Sequence, residues 1–106
     1  MANPWAGEVA LVIGGQRRVL KLTLGALAEL EESLGADTLV ALVERFEAGR
    51  FSSRDLVALI GAGLRGGGAD LGPQDLLRAE IEGGPVAAAR AAAALLARAF
   101  TVPGET

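Results

Sequence analysis

The run Gly61-Ala-Gly63-Leu-Arg-Gly66 fits the G-x-G-x-x-G pattern of a phosphate-cradling turn, and Leu56–Ile60 ahead of it can pass for a strand. Dinucleotide binding needs a helix to open at those glycines, so that free N-terminal amides face the pyrophosphate. Here the glycines are followed by Gly67-Gly-Ala-Asp-Leu-Gly72-Pro73, which cannot form a first helical turn, and the chain lacks repeated βαβ units. The pattern is read as a helix that ends in a flexible glycine loop, and no cofactor is expected.

Three further groups invite a chemical reading. Glu29, Glu31 and Glu32 could serve as acid–base or metal carboxylates, but no His, Lys or Cys accompanies them, and carboxylates alone hold magnesium poorly without a phosphate. A solvated helix face explains them as well. Arg17 and Arg18 stand beside a Gly14-Gly15 turn, where they could meet phosphate or an acidic partner, or simply protect a strand edge. Ser33, Ser52 and Ser53 have no base to activate them. The whole chain contains no His, Cys or Tyr, which removes the commonest general base, the thiol nucleophile and most zinc ligands. No catalytic or metal residues are assigned, and the expectation is a protein that is not an enzyme.

The 106 residues suit one domain, with net charge −3 and dispersed acids and bases. No basic patch stands out, so nucleic acid is a poor candidate partner. Nine of the ten basic residues are Arg, and with abundant Ala and Gly this reads as GC-rich coding rather than phosphate recognition. Residues 1–5 lack the pattern of a signal peptide. The longest apolar stretch, Val86–Phe100, holds Arg90 and Arg98 and is shorter than the roughly 20 residues of a membrane span. A soluble cytoplasmic protein without a membrane partner is expected.

The elements that would position any site follow from periodicity. Glu8–Ile13 and Arg17–Leu22 alternate around Gly14-Gly15 and read as a β-hairpin over 8–22. Val9, Leu11 and Ile13 share one face with Leu20 and Leu22, while Ala10, Val12 and Val19 make the second face partly apolar. At Thr23 the spacing turns helical. Helices are expected over about 24–34, 38–47, 53–65, 73–82 and 85–100, with Thr23 and Asp37 as N-caps, Ser52-Ser-Arg-Asp55 as a capping box, and Pro73 and Pro85 in first turns. The expected core stripe of the first helix is Leu24, Leu27, Ala28, Leu30 and Leu34. Residues 1–7 read as a loose arm and 101–106 as a polar tail. The fold class is α+β, a hairpin followed by a mainly α-helical body of about five short helices.

The fifth helix is apolar all round. Val86, Ala89, Ala93, Leu96 and Phe100 form the expected core stripe, and Leu95 falls half a turn away among Ala88, Ala91 and Ala99. A helix with two apolar faces is buried or bound to something. Leu95, Ala88, Ala91 and Ala99, with Val12 and Val19 on the hairpin, are therefore the candidate partner-binding residues.

The runs Gly7-Glu-Val-Ala-Leu-Val-Ile13 and Arg18-Val-Leu-Lys-Leu-Thr-Leu-Gly-Ala-Leu-Ala-Glu-Leu-Glu31 resemble the start of the gene transfer agent tail proteins. Leu42-Val-Glu-Arg-Phe46, Ser53-Arg-Asp55, Gly63-Leu-Arg-Gly66 and the Gly83-Gly84 break before an Ala-rich helix extend the resemblance over nearly the whole chain. That family belongs to the small tail-assembly proteins of long-tailed phages, placed as tail assembly chaperones or tail tube proteins. The resemblance implies a non-enzymatic assembly protein, either a chaperone that binds the tape measure protein or a tube subunit, with homo-oligomers and retention in the tail particle both open. A tube subunit needs a larger sheet than one hairpin, so the chaperone ranks first. A small helical regulator that binds DNA is the remaining alternative, disfavoured by the acidic charge.

Overall fold

The computed structural model describes residues 7–35, 38–69 and 73–100. The expected N-terminal arm (apart from Gly7), the C-terminal tail and Asp37 as a cap lie outside them. The element order is β1 (Glu8–Ile13), β2 (Gln16–Lys21), α1 (Leu24–Leu34), α2 (Leu39–Glu47), α3 (Ser53–Gly66), α4 (Pro73–Arg78) and α5 (Gly84–Ala99). This is the expected α+β arrangement of a hairpin and five helices.

Gly14 and Gly15 both take positive φ, 61° and 79°, as a two-residue hairpin turn of the type matched to strand twist demands. The turn sets the antiparallel register, with Val9 opposite Leu20, Leu11 opposite Arg18 and Ile13 opposite Gln16. Val9, Leu11, Ile13 and Leu20 are all buried on the body side, as the alternation required.

The starts of α1, α2 and α3 carry side-chain caps. Thr23 accepts from the Ala26 N–H and Thr38 from the Ala41 N–H. Ser52 and Asp55 form the reciprocal capping box of α3. At the end of α2, Gly49 (φ 71°) closes a motif in which the Arg50 N–H donates to the Arg45 carbonyl and the Gly49 N–H to that of Phe46. Gly68 does the same for α3.

The central element is α3, which packs against β2, α1, α4 and α5. Its glycines are the reason it can. A Cβ on Gly63 would lie 2.9 Å from Leu95 Cδ1 and 3.1 Å from Leu20 Cβ. On Gly66 and Gly67 it would run into the carbonyl oxygens of Lys21 and Val19. The end of α3 therefore lies directly on the backbone of β2, at a separation only glycine permits. The glycine run expected to be a flexible loop is in its first part a packed helix surface.

Three expectations are corrected. The fourth helix stops at Arg78 rather than 82, because residues 80–82 leave it to pair with β1: Ile81 bridges Ile13, the Gly14 N–H donates to the Glu80 carbonyl, and the Glu82 N–H donates to that of Val12. In α1, Leu24 is 86% exposed and Ala28 is exposed, while Ala26 and Leu30 are buried. Leu24 is the first helical residue, and α1 is rotated so that Ala26 meets the glycine end of α3. The third concerns α5.

Candidate partner-binding surface

Nine alanines between 87 and 99 give α5 little apolar periodicity of its own, so its neighbours decide which face turns inward. β1, α2 and α3 pack on it. Gly63 leaves a notch in α3 that Leu95 fills, and Leu95 is fully buried. Ala88, Ala91, Ala92 and Leu96 turn inward with it. The expected stripe is thus largely reversed: Val86 is 61% and Phe100 51% exposed, Ala93 is exposed, and only Leu96 of that set is buried. Leu95, Ala88 and Ala91 are interior side chains, whereas Ala99, Val12 and Val19 are half-buried.

The outward face of α5 consists of Val86, Ala93, Ala97 and Phe100, spaced at 7, 4 and 3 residues along one side of the helix. Beside it, Val43 and Phe46 of α2 join Ala93, Leu96, Ala97 and Phe100 around a cleft of about 280 Å³. A second cleft of about 290 Å³ lies between α3, α4 and the start of α5, with Leu56, Val57, Leu77 and Ile81 in its wall. Leu77 is 67% exposed there. No signal in the sequence separated these outward residues from core ones, since Val and Leu occupy both.

Of the polar candidates, Glu29 and Ser52 have structural work. Glu29 pairs with Arg65 of α3, and Glu31 and Glu32 face solvent. Ser52 is a cap, and Ser33 and Ser53 are exposed. Arg17 is exposed, and the half-buried Arg18 has an Nε without a hydrogen-bond partner among the described residues. Asp55 is a carboxylate whose proton affinity the fold displaces. Burial pushes it up, but hydrogen bonds from Arg45 and Ser52, together with the Arg45 charge, outweigh burial and hold it below its ordinary value. Among the described residues no cluster of three or more acidic side chains could hold a metal ion, and no helix is long and apolar enough to cross a membrane.

Hairpin, capped helices and shallow apolar clefts define a small α+β module whose distinctive surfaces suit protein contacts. The chain belongs to the family described as phage tail tube protein, GTA-gp10, whose model matches residues 6–102. It is thereby a gene transfer agent tail protein, with a structural or assembly role in a phage-like tail. No curated protein and no solved structure matches it.

Proposed function

We infer that this chain is a tail assembly chaperone, which holds the tape measure protein through apolar surface before tube subunits polymerise around it. One observation carries the reading: α5 presents Val86, Ala93, Ala97 and Phe100 outward, beside the α2 cleft. Large apolar side chains grouped on a monomer's surface mark a contact site. Shallow clefts suit weak, many-copy binding along a long partner better than capture of a small molecule. Formation of the complex would take place in the cytoplasm.

The family description favours a second reading, a structural component of the tail tube. Among the described residues the sheet is one two-stranded ribbon with a single added bridge, which offers little strand edge for closing a ring. The chaperone reading therefore stands first.

Co-purification with the tape measure protein tests it. The doubly substituted Val86→Glu, Phe100→Glu chain should stay folded and lose most of the retained partner. Unchanged retention would move the contact elsewhere. Mass spectrometry of purified particles separates the two readings, since a tube component remains at many copies and a chaperone is depleted. Self-association through the same stripe would appear as a concentration-dependent mass that the double substitution abolishes.

A further inference from the structure

β1 is only partly paired along its outer edge. The two-residue turn makes Val9, Leu11 and Ile13 the residues that exchange hydrogen bonds with β2, so Glu8, Ala10 and Val12 direct their peptide groups the other way. Residues 80–82 cover the end of that edge, with the Glu82 N–H on the Val12 carbonyl at 3.0 Å. Gly83 and Gly84, with φ of 88° and 68°, then turn the chain off the edge into α5. At the opposite end, Arg98 Nη1 donates to the Glu8 carbonyl. Between these two fixed points the N–H and C=O of Ala10 have no hydrogen-bond partner among the described residues.

An open cleft of about 650 Å³ runs along this stretch of edge, with β1 on one side and Ala87, Arg90, Ala91, Ala94 and Arg98 of α5 on the other. Since Gly83 follows the residue bonded to Val12 and Arg98 reaches Glu8, α5 lies antiparallel beside the strand. A strand edge facing a helix across a cleft is a geometry that binds peptides by strand addition.

We propose that this cleft takes one extended segment of a partner protein as an added strand on β1, with acidic side chains four residues apart. A residue opposite Ala10 exchanges two backbone hydrogen bonds with it. Arg90 and Arg98 are eight helical residues apart, roughly 12 Å. Side chains at i and i+4 of a strand share a face at about 13 Å, so two carboxylates on that segment reach both guanidiniums. A small apolar side chain at i+2 meets the half-buried Ala94 between them. Arg17 adds a third cation at the rim, against Glu8 and Glu82 at the two ends. A second copy is the poorer occupant, because pairing β1 with its own twin sets Arg17, Arg90 and Arg98 of one copy against those of the other. The site lies about a quarter-turn around α5 from the Val86–Phe100 stripe and stands whether or not the tape measure protein is the partner.

The test is a nitrogen-15 NMR titration of the full chain with the blocked peptide Thr-Glu-Thr-Val-Thr-Glu-Thr. Saturable shifts should map to Glu8–Val12 and Ala87–Arg98, and the Ala10 amide should become at least fivefold slower to exchange with solvent. Lysine in place of both glutamates should weaken binding at least tenfold, and so should N-methylation of the peptide at alternate residues, which leaves the protein untouched. Arg90→Gln should reduce affinity several-fold without altering the spectrum of Val9, Leu11 and Leu20. The proposal is overturned by equal binding of the lysine or N-methylated peptide, by shifts confined to the α2 cleft, by no shift at millimolar peptide, or by the same amides shifting with protein concentration alone.

Discussion

The Arg45 guanidinium holds the Asp55 carboxylate through two hydrogen bonds of 2.9 Å, from Nε to Oδ2 and from Nη2 to Oδ1. Asp55 Oδ2 also accepts from the Ser52 N–H at 2.9 Å, so one carboxylate ties the end of α2 to the start of α3. The stacked rings of Phe46 and Phe51, with centroids 4.5 Å apart, brace the same joint.

Asp55→Asn should cost about 2 kcal/mol at neutral pH, the scale of a charge-assisted hydrogen-bonded pair that is mostly out of water. The carboxyl is held below its ordinary value in the folded chain. Its contribution is therefore complete above the unfolded value of about 4 and fades as pH falls through the lowered folded value. Urea midpoints of the two proteins should differ at pH 7 and converge on acidification below about pH 4.

Gly66→Ala should lose ~3 kcal/mol or fail to fold, since the new methyl runs into the Lys21 carbonyl and backbone must move. Gly25→Ala, in the exposed first turn of α1 with Thr23 Oγ1 at 3.9 Å, should gain about 0.5–1 kcal/mol from helix propensity. Equal effects in thermal melts would mean that α3 does not sit on β2 as described.

Leu95→Glu should unfold the chain, and Leu95→Ala should cost ~3 kcal/mol, as expected for a fully buried leucine. Ala93→Glu, on the outward face two residues away, should leave the melting temperature within about 3 °C. Circular dichroism melts of the pair check which face of α5 is inside.

Gly14→Asn should be tolerated, because asparagine accepts the left-handed conformation of the hairpin turn. Gly14→Val should lose 1–2 kcal/mol, roughly the left-handed strain of a branched residue. Denaturant midpoints with unchanged slopes would assign both effects to the turn.

Where local signals fix the structure, the sequence is a good guide. Gly14-Gly15, Thr23 and Ser52–Asp55 act within four residues of themselves, and each performs the role its type predicts. The orientation of α5 was not legible, because alanine is indifferent between core and surface and only the notch at Gly63 selects Leu95 over Val86. The end of α4 at Arg78 was hidden for a similar reason. Leu76, Leu77 and Ile81 keep helical spacing, yet Ile81 serves a strand sixty-eight residues earlier. Asp55 was visible as a cap, but its partner Arg45 belongs to the preceding helix. Alanine's indifference also set the candidate contacts Leu95, Ala88 and Ala91 apart from the expected core stripe, and the fold turns all three inward.

The bridge between Ile13 and Ile81 also has a meaning in time. During synthesis the hairpin emerges well before the peptides that flank its outer edge and the helix that shields its apolar face. With α3 alone behind it, the ribbon leaves Val9, Leu11 and Ile13 waiting for α5. The nascent chain thus carries an adhesive strand until α5 has cleared the ribosome, and the domain closes late and as a unit. Ribosome stalling at residue 80 should leave that strand protease-sensitive, and stalling with residue 100 outside the exit tunnel should protect it.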